Sequence, residues 1–179
     1  MKLILLLSLL AAPAFADTML IEDFSEGSDN RWRYTSDRVM GGVSDGSGAI
    51  VTEGETRFAQ LRGTVSTANN GGFIQIRQAL AQPLPEDATG LQLRVRGNGA
   101  TYYIHMRPQS SRRPWQFLQA AFETSQTWET VSLPWSAFSP QGGLGADFTP
   151  QDITSLGIVA YGADFEALLD IDWIGTTRD

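Results

Sequence analysis

The 179-residue chain has no cysteine, one histidine and, beyond Lys2, no lysine. Without cysteine there is no disulfide framework, no thiol nucleophile and no Cys-ligated zinc or iron–sulfur centre. A lone His105 excludes sites built on two or more imidazoles, such as H-E-x-x-H. No window reaches the ~18 to 20 apolar residues that a helix needs to span a bilayer, so no membrane span is expected. Helical periodicity is nearly absent. A formal net charge of −7 argues against nucleic acid as a partner, since general nucleic-acid binders carry basic surfaces. The apolar share of 42% is too high for a disordered chain.

The N-terminus carries a processing signal. Lys2 precedes an apolar run over residues 3–10, and Ala14-Phe15-Ala16 forms an A-x-A cleavage site ahead of Asp17. This pattern predicts a secretory signal peptide over residues 1–16, one domain over 17–179, and a periplasmic or secreted protein.

Charge is distributed unevenly. Residues 57–113 carry 8 arginines against only Glu86 and Asp87, while both flanking segments are strongly acidic. Two readings are open. The fold brings acidic and basic strands together, or the arginines form a surface for a polar or anionic ligand.

Period-two alternation recurs over residues 19–24, 31–35, 48–52, 56–65, 72–79, 89–96, 100–107, 115–123, 128–133, 154–160 and 165–174. Asp45-Gly46, Glu53-Gly54, Asn70-Gly71 and Asn98-Gly99 supply turn residues between them. So many short strands without a long helix predict an all-β antiparallel sandwich or barrel. Thr149 is placed to cap one helical turn at Pro150-Gln151-Asp152. Gly142-Gly143-Leu144-Gly145 reads as a mobile surface loop.

Asn98-Gly99 is the favoured two-residue hairpin loop. That register pairs Val95 with Tyr102, Leu93 with Ile104 and Leu91 with Met106 on a core face. It pairs Arg96 with Thr101, Arg94 with Tyr103 and Gln92 with His105 on the other face. Arg107 has the same parity as that second set, and Gln75, Arg77, Phe117 and Gln119 have matching parity in their own strands. If these strands share a sheet, its non-core face gathers guanidinium, imidazole, amide and aromatic groups without an acid. Arginine forks bind carboxylates, phosphates or paired hydroxyls at two points, and rings add apolar contact. Gln75, Arg77, Gln92, Arg94, Tyr103, His105, Arg107, Phe117 and Gln119 are therefore the candidate surface. Its expected partner is a polar or anionic small ligand, a glycan or an acidic protein segment. The alternative is that these arginines meet the acidic ends of the chain.

Several motifs stand out in order. Trp32 precedes Ser36-Asp37-Arg38-Val39-Met40-Gly41-Gly42-Val43-Ser44. Gly63-Thr64-Val65-Ser66 leads to Asn69-Asn70-Gly71-Gly72-Phe73 and Arg77. Later come Trp128, Leu133-Pro134-Trp135-Ser136-Ala137-Phe138, Leu156-Gly157-Ile158 and Asp170-Ile171-Asp172-Trp173-Ile174. Over about residues 20–175 this order resembles the complex I (NADH:ubiquinone oxidoreductase) intermediate-associated protein 30 family. The resemblance implies a jelly-roll sandwich of the galactose-binding-like kind. It also implies a non-enzymatic assembly or chaperone-like role, with a protein as partner. The Leu-rich leader is unlike a mitochondrial presequence, which is Arg- and Ser-rich and amphipathic. A carbohydrate- or small polar-ligand-binding module is the alternative function.

The motif loops have their own chemistry. Met40, Gly41 and Gly42 let the backbone turn and approach a neighbour, and Asn70, Gly71 and Gly72 repeat this in a second loop. Asp37 and Ser44 are placed to bond the freed backbone N–H groups, and Arg77 to pair with Asp37. These loops either staple the fold or present a ligand or partner surface.

No catalytic set assembles. There is no G-x-S-x-G elbow, and strand positions that face a core hold almost no carboxylates, so no enzyme is expected. No cofactor is called for beyond a structural Ca²⁺. Glu22, Asp23, Asp170 and Asp172, on the first and last strands, are its oxygen-ligand candidates; otherwise they face solvent or Arg178. Among the tryptophans, Trp128, Trp135 and Trp173 read as core or corner packing, and Trp32 and Trp115 as freer.

Overall fold

The computed structural model describes residues 19–178. The expected leader, residues 1–16, lies outside them. The strands are β1 (Leu20–Glu22), β2 (Arg33–Ser36), β3 (Asp45–Glu53), β4 (Thr56–Val65), β5 (Phe73–Ala79), β6 (Gly90–Gly97), β7 (Thr101–Pro108), β8 (Leu118–Glu123), β9 (Glu129–Pro134), β10 (Ser139–Pro140), β11 (Ile153–Tyr161) and β12 (Phe165–Thr177). Sheet A runs β3-β4-β12-β6-β9, with β1 also on β12; sheet B runs β10-β8-β7-β11-β5-β2. All pairings are antiparallel.

Alternation decides which side chains enter the gap between the sheets. Leu91, Leu93 and Val95 of β6 and Tyr102, Ile104 and Met106 of β7 all lie in one core cluster. Ile74 and Ile76 of β5, Leu118 and Ala120 of β8 and Ile158 of β11 join it from sheet B, while Leu61, Leu169 and Ile171 join from sheet A. Each fully buried aliphatic side chain of this size contributes about 1.5 to 3 kcal/mol. Among the described residues no helix is long and apolar enough to cross a membrane.

The expected hairpin at Asn98-Gly99 does not form. β6 pairs with β12 and β9, whereas β7 pairs with β11 and β8. Residues 98–100 form an arch from one sheet to the other. The apolar parity is as expected, but Leu91, Leu93 and Val95 enter the core from one side and Tyr102, Ile104 and Met106 from the other. The arch is tied by side chains: Asn98 Nδ2 donates to the Glu166 carbonyl at 2.6 Å, and Tyr102 Oη donates to Asn98 Oδ1 at 2.8 Å. The Leu168 amide donates to Tyr102 Oη at 2.9 Å. Burial pushes the Tyr102 phenol up to about 12.

Two turn expectations also change. Asp45-Gly46 is not a turn but the start of β3, with Gly46 opposite Gly63 of β4. A Cβ on either glycine would strike the facing backbone, so this pair sets how closely the two strands approach. The segment 142–145 is anchored in part, since Leu144 packs on the core and Gly142 lies against Trp115. The turn at Pro150–Asp152 forms as expected, with a reciprocal Thr149–Asp152 capping box.

Candidate functional site

The outward side chains of sheet B form a continuous platform. In one row, Arg33 of β2 lies opposite Arg77 of β5, Arg77 opposite Gly157 of β11, Gly157 opposite His105 of β7, and His105 opposite Gln119 of β8. The next row runs Thr35, Gln75, Val159, Tyr103 and Ala121. Gly157 has no side chain to raise above the sheet, so Gln75 and Arg77 fold over its position.

Aromatic rings fill the platform beside this floor. The His105 ring stacks on Phe117 with centroids 3.9 Å apart and planes 15° from parallel. Tyr161 meets His105 edge-on at 6.0 Å and Tyr103 at 5.9 Å. His105 Nε2 is 2.9 Å from Gln119 Oε1. Burial pushes the His105 pKa down to about 4 against a smaller opposing effect of Gln119, so the imidazole is neutral at pH 7. Arg107, stationed two residues beyond His105, donates to the Arg113 carbonyl at 2.9 Å. Burial and then the nearby charge of Arg77 lower its pKa. The six strands of sheet B contain one acidic residue, Glu123, at the far end of β8.

Seven of the nine candidate surface residues lie on this face: Gln75, Arg77, Tyr103, His105, Arg107, Phe117 and Gln119. Gln92 and Arg94 do not, because β6 belongs to sheet A and its outward face is on the opposite side of the sandwich. There Gln92 Nε2 donates to Ser132 Oγ at 3.0 Å, and Arg94 pairs with Asp172 while its guanidinium lies 5.1 Å from the Trp128 ring. Neighbouring Arg96 bonds Asp170 at 2.8 Å and Glu53 at 2.5 Å, over the rings of Trp128 and Phe58. On sheet A, then, these two arginines do meet the acidic ends of the chain. Arg33, Tyr161 and Gly157 belong to the sheet B platform without having been singled out for it. Tyr161 lies one residue past the strand end drawn from sequence. A glycine inside a strand was the available signal for Gly157.

The motif loops are joined by one carboxylate. Asp37 is fully buried. Its Oδ1 accepts from the Ser44 amide at 2.9 Å, and its Oδ2 from Ser44 Oγ at 2.5 Å, the Gly72 amide at 2.5 Å and the Phe73 amide at 3.3 Å. Burial raises its pKa, but the hydrogen bonds outweigh this and hold it below the usual aspartate value. Any Cβ on Gly42 or Gly71 would collide with this carboxyl group. Arg77 does not pair with Asp37 as expected, because it points from the outer face while Asp37 is saturated by backbone and hydroxyl donors. The loop that Asp37 pins crosses from β2 to β3 and leaves Val39, Met40 and Val43 exposed, at 76%, 66% and 44%.

Trp32 is not free but buried, and its Nε1 donates to Glu22 Oε2 at 3.0 Å. The same carboxylate accepts from the Phe24 amide at 2.9 Å, Ser28 Oγ at 2.8 Å and Arg31 at 2.8 Å. This explains why the calcium candidates do not form a site. Glu22 is occupied by these donors, Asp23 accepts from the Ser25 amide, Asp170 bonds Gln60 and Arg96, and Asp172 bonds Arg94. No group of three His, Cys, Asp or Glu side chains fit to hold a metal ion occurs among the described residues. Arg178 pairs with Asp87 rather than with those acids. A surface groove lies elsewhere, along β3, β4 and β12 near Arg62, Asn98 and Glu166. It lacks aromatic rings and is open, so the platform is the better-equipped surface.

The profile of the complex I intermediate-associated protein 30 family matches residues 22–170. The chain belongs to that family. This complex I intermediate-associated protein 30 domain shares its fold with carbohydrate-binding modules. It is similar to the family 11 module of the cellulase Lic26A-Cel5E of Clostridium thermocellum, with 14% identity, 93% of this chain and 97% of that one covered, and a TM-score of 0.73. A family 11 module of the same organism, in complex with a β-1,3-1,4-mixed-linked tetrasaccharide, aligns with 14% identity over 92% and 98% of the chains and a TM-score of 0.72. A family 30 carbohydrate-binding module aligns at 14% identity over 92% and 86%, with a TM-score of 0.59. These likenesses establish the jelly-roll, galactose-binding-like fold. No curated protein matches the chain.

Proposed function

We propose that this family member is an exported, non-catalytic binding module that holds a hydroxyl-rich ligand, of the glycan class, on the outer face of sheet B. The observation that carries the reading is the platform itself. Stacked His105 and Phe117 adjoin Tyr161 and Tyr103, with Gln119 beside them and Gln75 and Arg77 folded over Gly157. Flat rings take the apolar faces of sugar rings, and amides and guanidinium groups take their hydroxyl pairs. The fold-mates named above are carbohydrate-binding modules, one of them holding a tetrasaccharide. Export rests on the leader over residues 1–16, with the mature protein starting at Asp17.

Glycan-array screening of the purified protein tests the binding. The paired change Tyr103→Ala with Tyr161→Ala should abolish retention while the circular dichroism and melting temperature stay near those of the parent. Full retention by the folded variant would remove the platform as the site. N-terminal sequencing from the native host tests export; an intact Met1 in a cytosolic fraction would end it.

A second reading, attachment to a protein during assembly, is favoured by Val39, Met40 and Val43. Three exposed apolar side chains on a loop pinned by a buried carboxylate suit a protein contact. Crosslinking with mass spectrometry in the native host, with and without Val39→Ser and Met40→Ser, decides it. A defined partner lost on substitution supports assembly.

A further inference from the structure

Arg33 and Arg77 sit directly opposite each other in the β2–β5 ladder. Among the described residues neither side chain has a hydrogen-bond or ion-pair partner. Like charges in directly opposed positions destabilise a sheet. Arg107 adds a third guanidinium to the same face, close enough for Arg77 to lower its pKa, and its one hydrogen bond goes to a carbonyl. The chain does not lack acids to neutralise this cluster, for its net charge is −7. On sheet A, Arg94 and Arg96 are met by Asp172, Asp170 and Glu53. Sheet B has instead one carboxylate on its strands, Glu123, opposite Thr101 and away from the arginine row. A repulsive cluster left uncompensated beside an aromatic platform is the signature of a charge that arrives with the ligand.

We infer that the ligand of this platform is an acidic saccharide, whose carboxylates are bound by Arg33, Arg77 and Arg107 while its rings lie on Tyr103, Tyr161 and the stacked His105–Phe117 pair. This rests on the binding function proposed above and names its ligand class. Guanidinium forks engage carboxylates through two parallel N–H···O bonds, which a neutral sugar hydroxyl cannot reproduce at equal strength. An acidic peptide would satisfy the arginines but leave the rings without sugar faces, so the saccharide is the better match to both halves of the surface.

Isothermal titration of the purified full chain with four probes tests this: hexagalacturonate, its fully methyl-esterified form, the neutral mixed-linked β-glucan tetrasaccharide, and hexaglutamate. Hexagalacturonate should bind about tenfold or more tighter than its ester, with affinity falling as salt rises. Arg33→Gln and Arg77→Gln should each reduce that affinity about tenfold and reduce weak binding of the neutral tetrasaccharide by much less. Neutral and acidic sugars binding equally, with both variants unaffected, would overturn the acidic ligand and leave the glycan reading standing. Hexaglutamate binding as tightly as the uronate would overturn the saccharide in favour of an acidic protein segment. Failure of all four probes to bind would overturn the acidic-saccharide ligand, while the binding reading is decided by the glycan array. A ligand-free measurement stands beside these. Arg33→Gln should raise the melting temperature by about 1 to 3 °C at low salt by relieving repulsion, with the gain fading in high salt. A fall in melting temperature would mean that Arg33 supports the fold, which contradicts an uncompensated charge held for a ligand.

Discussion

At Gly42 and Gly71 the reason for glycine is a neighbour rather than a turn. Neither residue has a positive φ, and at each a Cβ would occupy the position of the Asp37 carboxyl group. Gly42→Ala or Gly71→Ala must therefore push Asp37 off its four donors or shift the loop. Overpacking of this kind costs about 1 to 3 kcal/mol, before any hydrogen bond is lost. Gly145 is the matched control, since a Cβ there meets open space at an ordinary φ. Thermal melts should place Gly42→Ala several degrees below the parent and Gly145→Ala at or slightly above it; equal melting temperatures would mean the carboxylate does not pin the loop. His105 gives a residue-level pH signature. The unfolded histidine titrates near 6.5, and burial holds the folded one near 4. Between those values the unfolded chain binds the proton and the folded chain does not, so this group's stability contribution is lost as pH falls through that window. Urea unfolding at pH 7, 5.5 and 4.5 should lose on the order of 1 kcal/mol per pH unit in the window. His105→Gln should flatten that slope. Asp37, whose pKa is lowered, acts below 3.8 and does not overlap. An unchanged slope in the variant would show that His105 is not desolvated.

At the scale of the element, the arch between β6 and β7 is the most informative feature. Tyr102 accepts the Leu168 amide and donates to Asn98, so the tip of the arch and the start of β12 are fixed by one phenol. Tyr102→Phe keeps the ring packing and leaves a partly buried amide without its acceptor, costing about 1 kcal/mol. The expected melt is several degrees lower, with slowed amide exchange at Leu168 lost; parent-like exchange there would refute the tie. The same arch explains what sequence patterning does and does not reveal. Strand positions and inward parity were legible because alternation reports burial, and Ile74, Ile76, Leu118 and Ala120 enter the core as their parity required. Pairing was not legible there. Leu91, Leu93 and Val95 satisfy alternation equally well beside Tyr102, Ile104 and Met106 in one sheet or across the gap from them. That one ambiguity carried Gln92 and Arg94 to the wrong face. That Asp37 takes a backbone N–H of its own turn was legible because both lie in one short motif, and the Ser44 amide is that group. The bond of Asp37 to Gly72, and the Arg33–Arg77 opposition, arise from strands brought together over long sequence separations and leave no local trace.

Across the whole molecule, two surfaces of opposite character are held by one sandwich. The sheet B platform is basic and aromatic and lies on a sheet face. The Val39, Met40 and Val43 loop is apolar and joins β2 to β3, the edge strands of sheets B and A. Both depend on the same edge, because Asp37 at the end of β2 also bonds the amides that begin β5. The exposed side chains lie on the β2–β3 connection and the platform rings on or next to β7, β8 and β11, so their substitution effects should be independent. Val39→Ser with Met40→Ser removes exposed apolar atoms and should alter stability by no more than about 0.5 kcal/mol. It should also leave saccharide affinity within twofold of the parent while removing any crosslinked protein partner. Tyr103→Ala with Tyr161→Ala should do the reverse. Asp37→Asn differs from both: it weakens a buried carboxylate that organises the loop and the start of β5, so it should lower the melting temperature and impair both activities together. Measuring affinity, partner crosslinking and melting temperature on the three variants separates the cases. Loss of both activities in the Val39/Met40 variant, with an unchanged melt, would mean that loop and platform act as a single composite site rather than two surfaces on one scaffold.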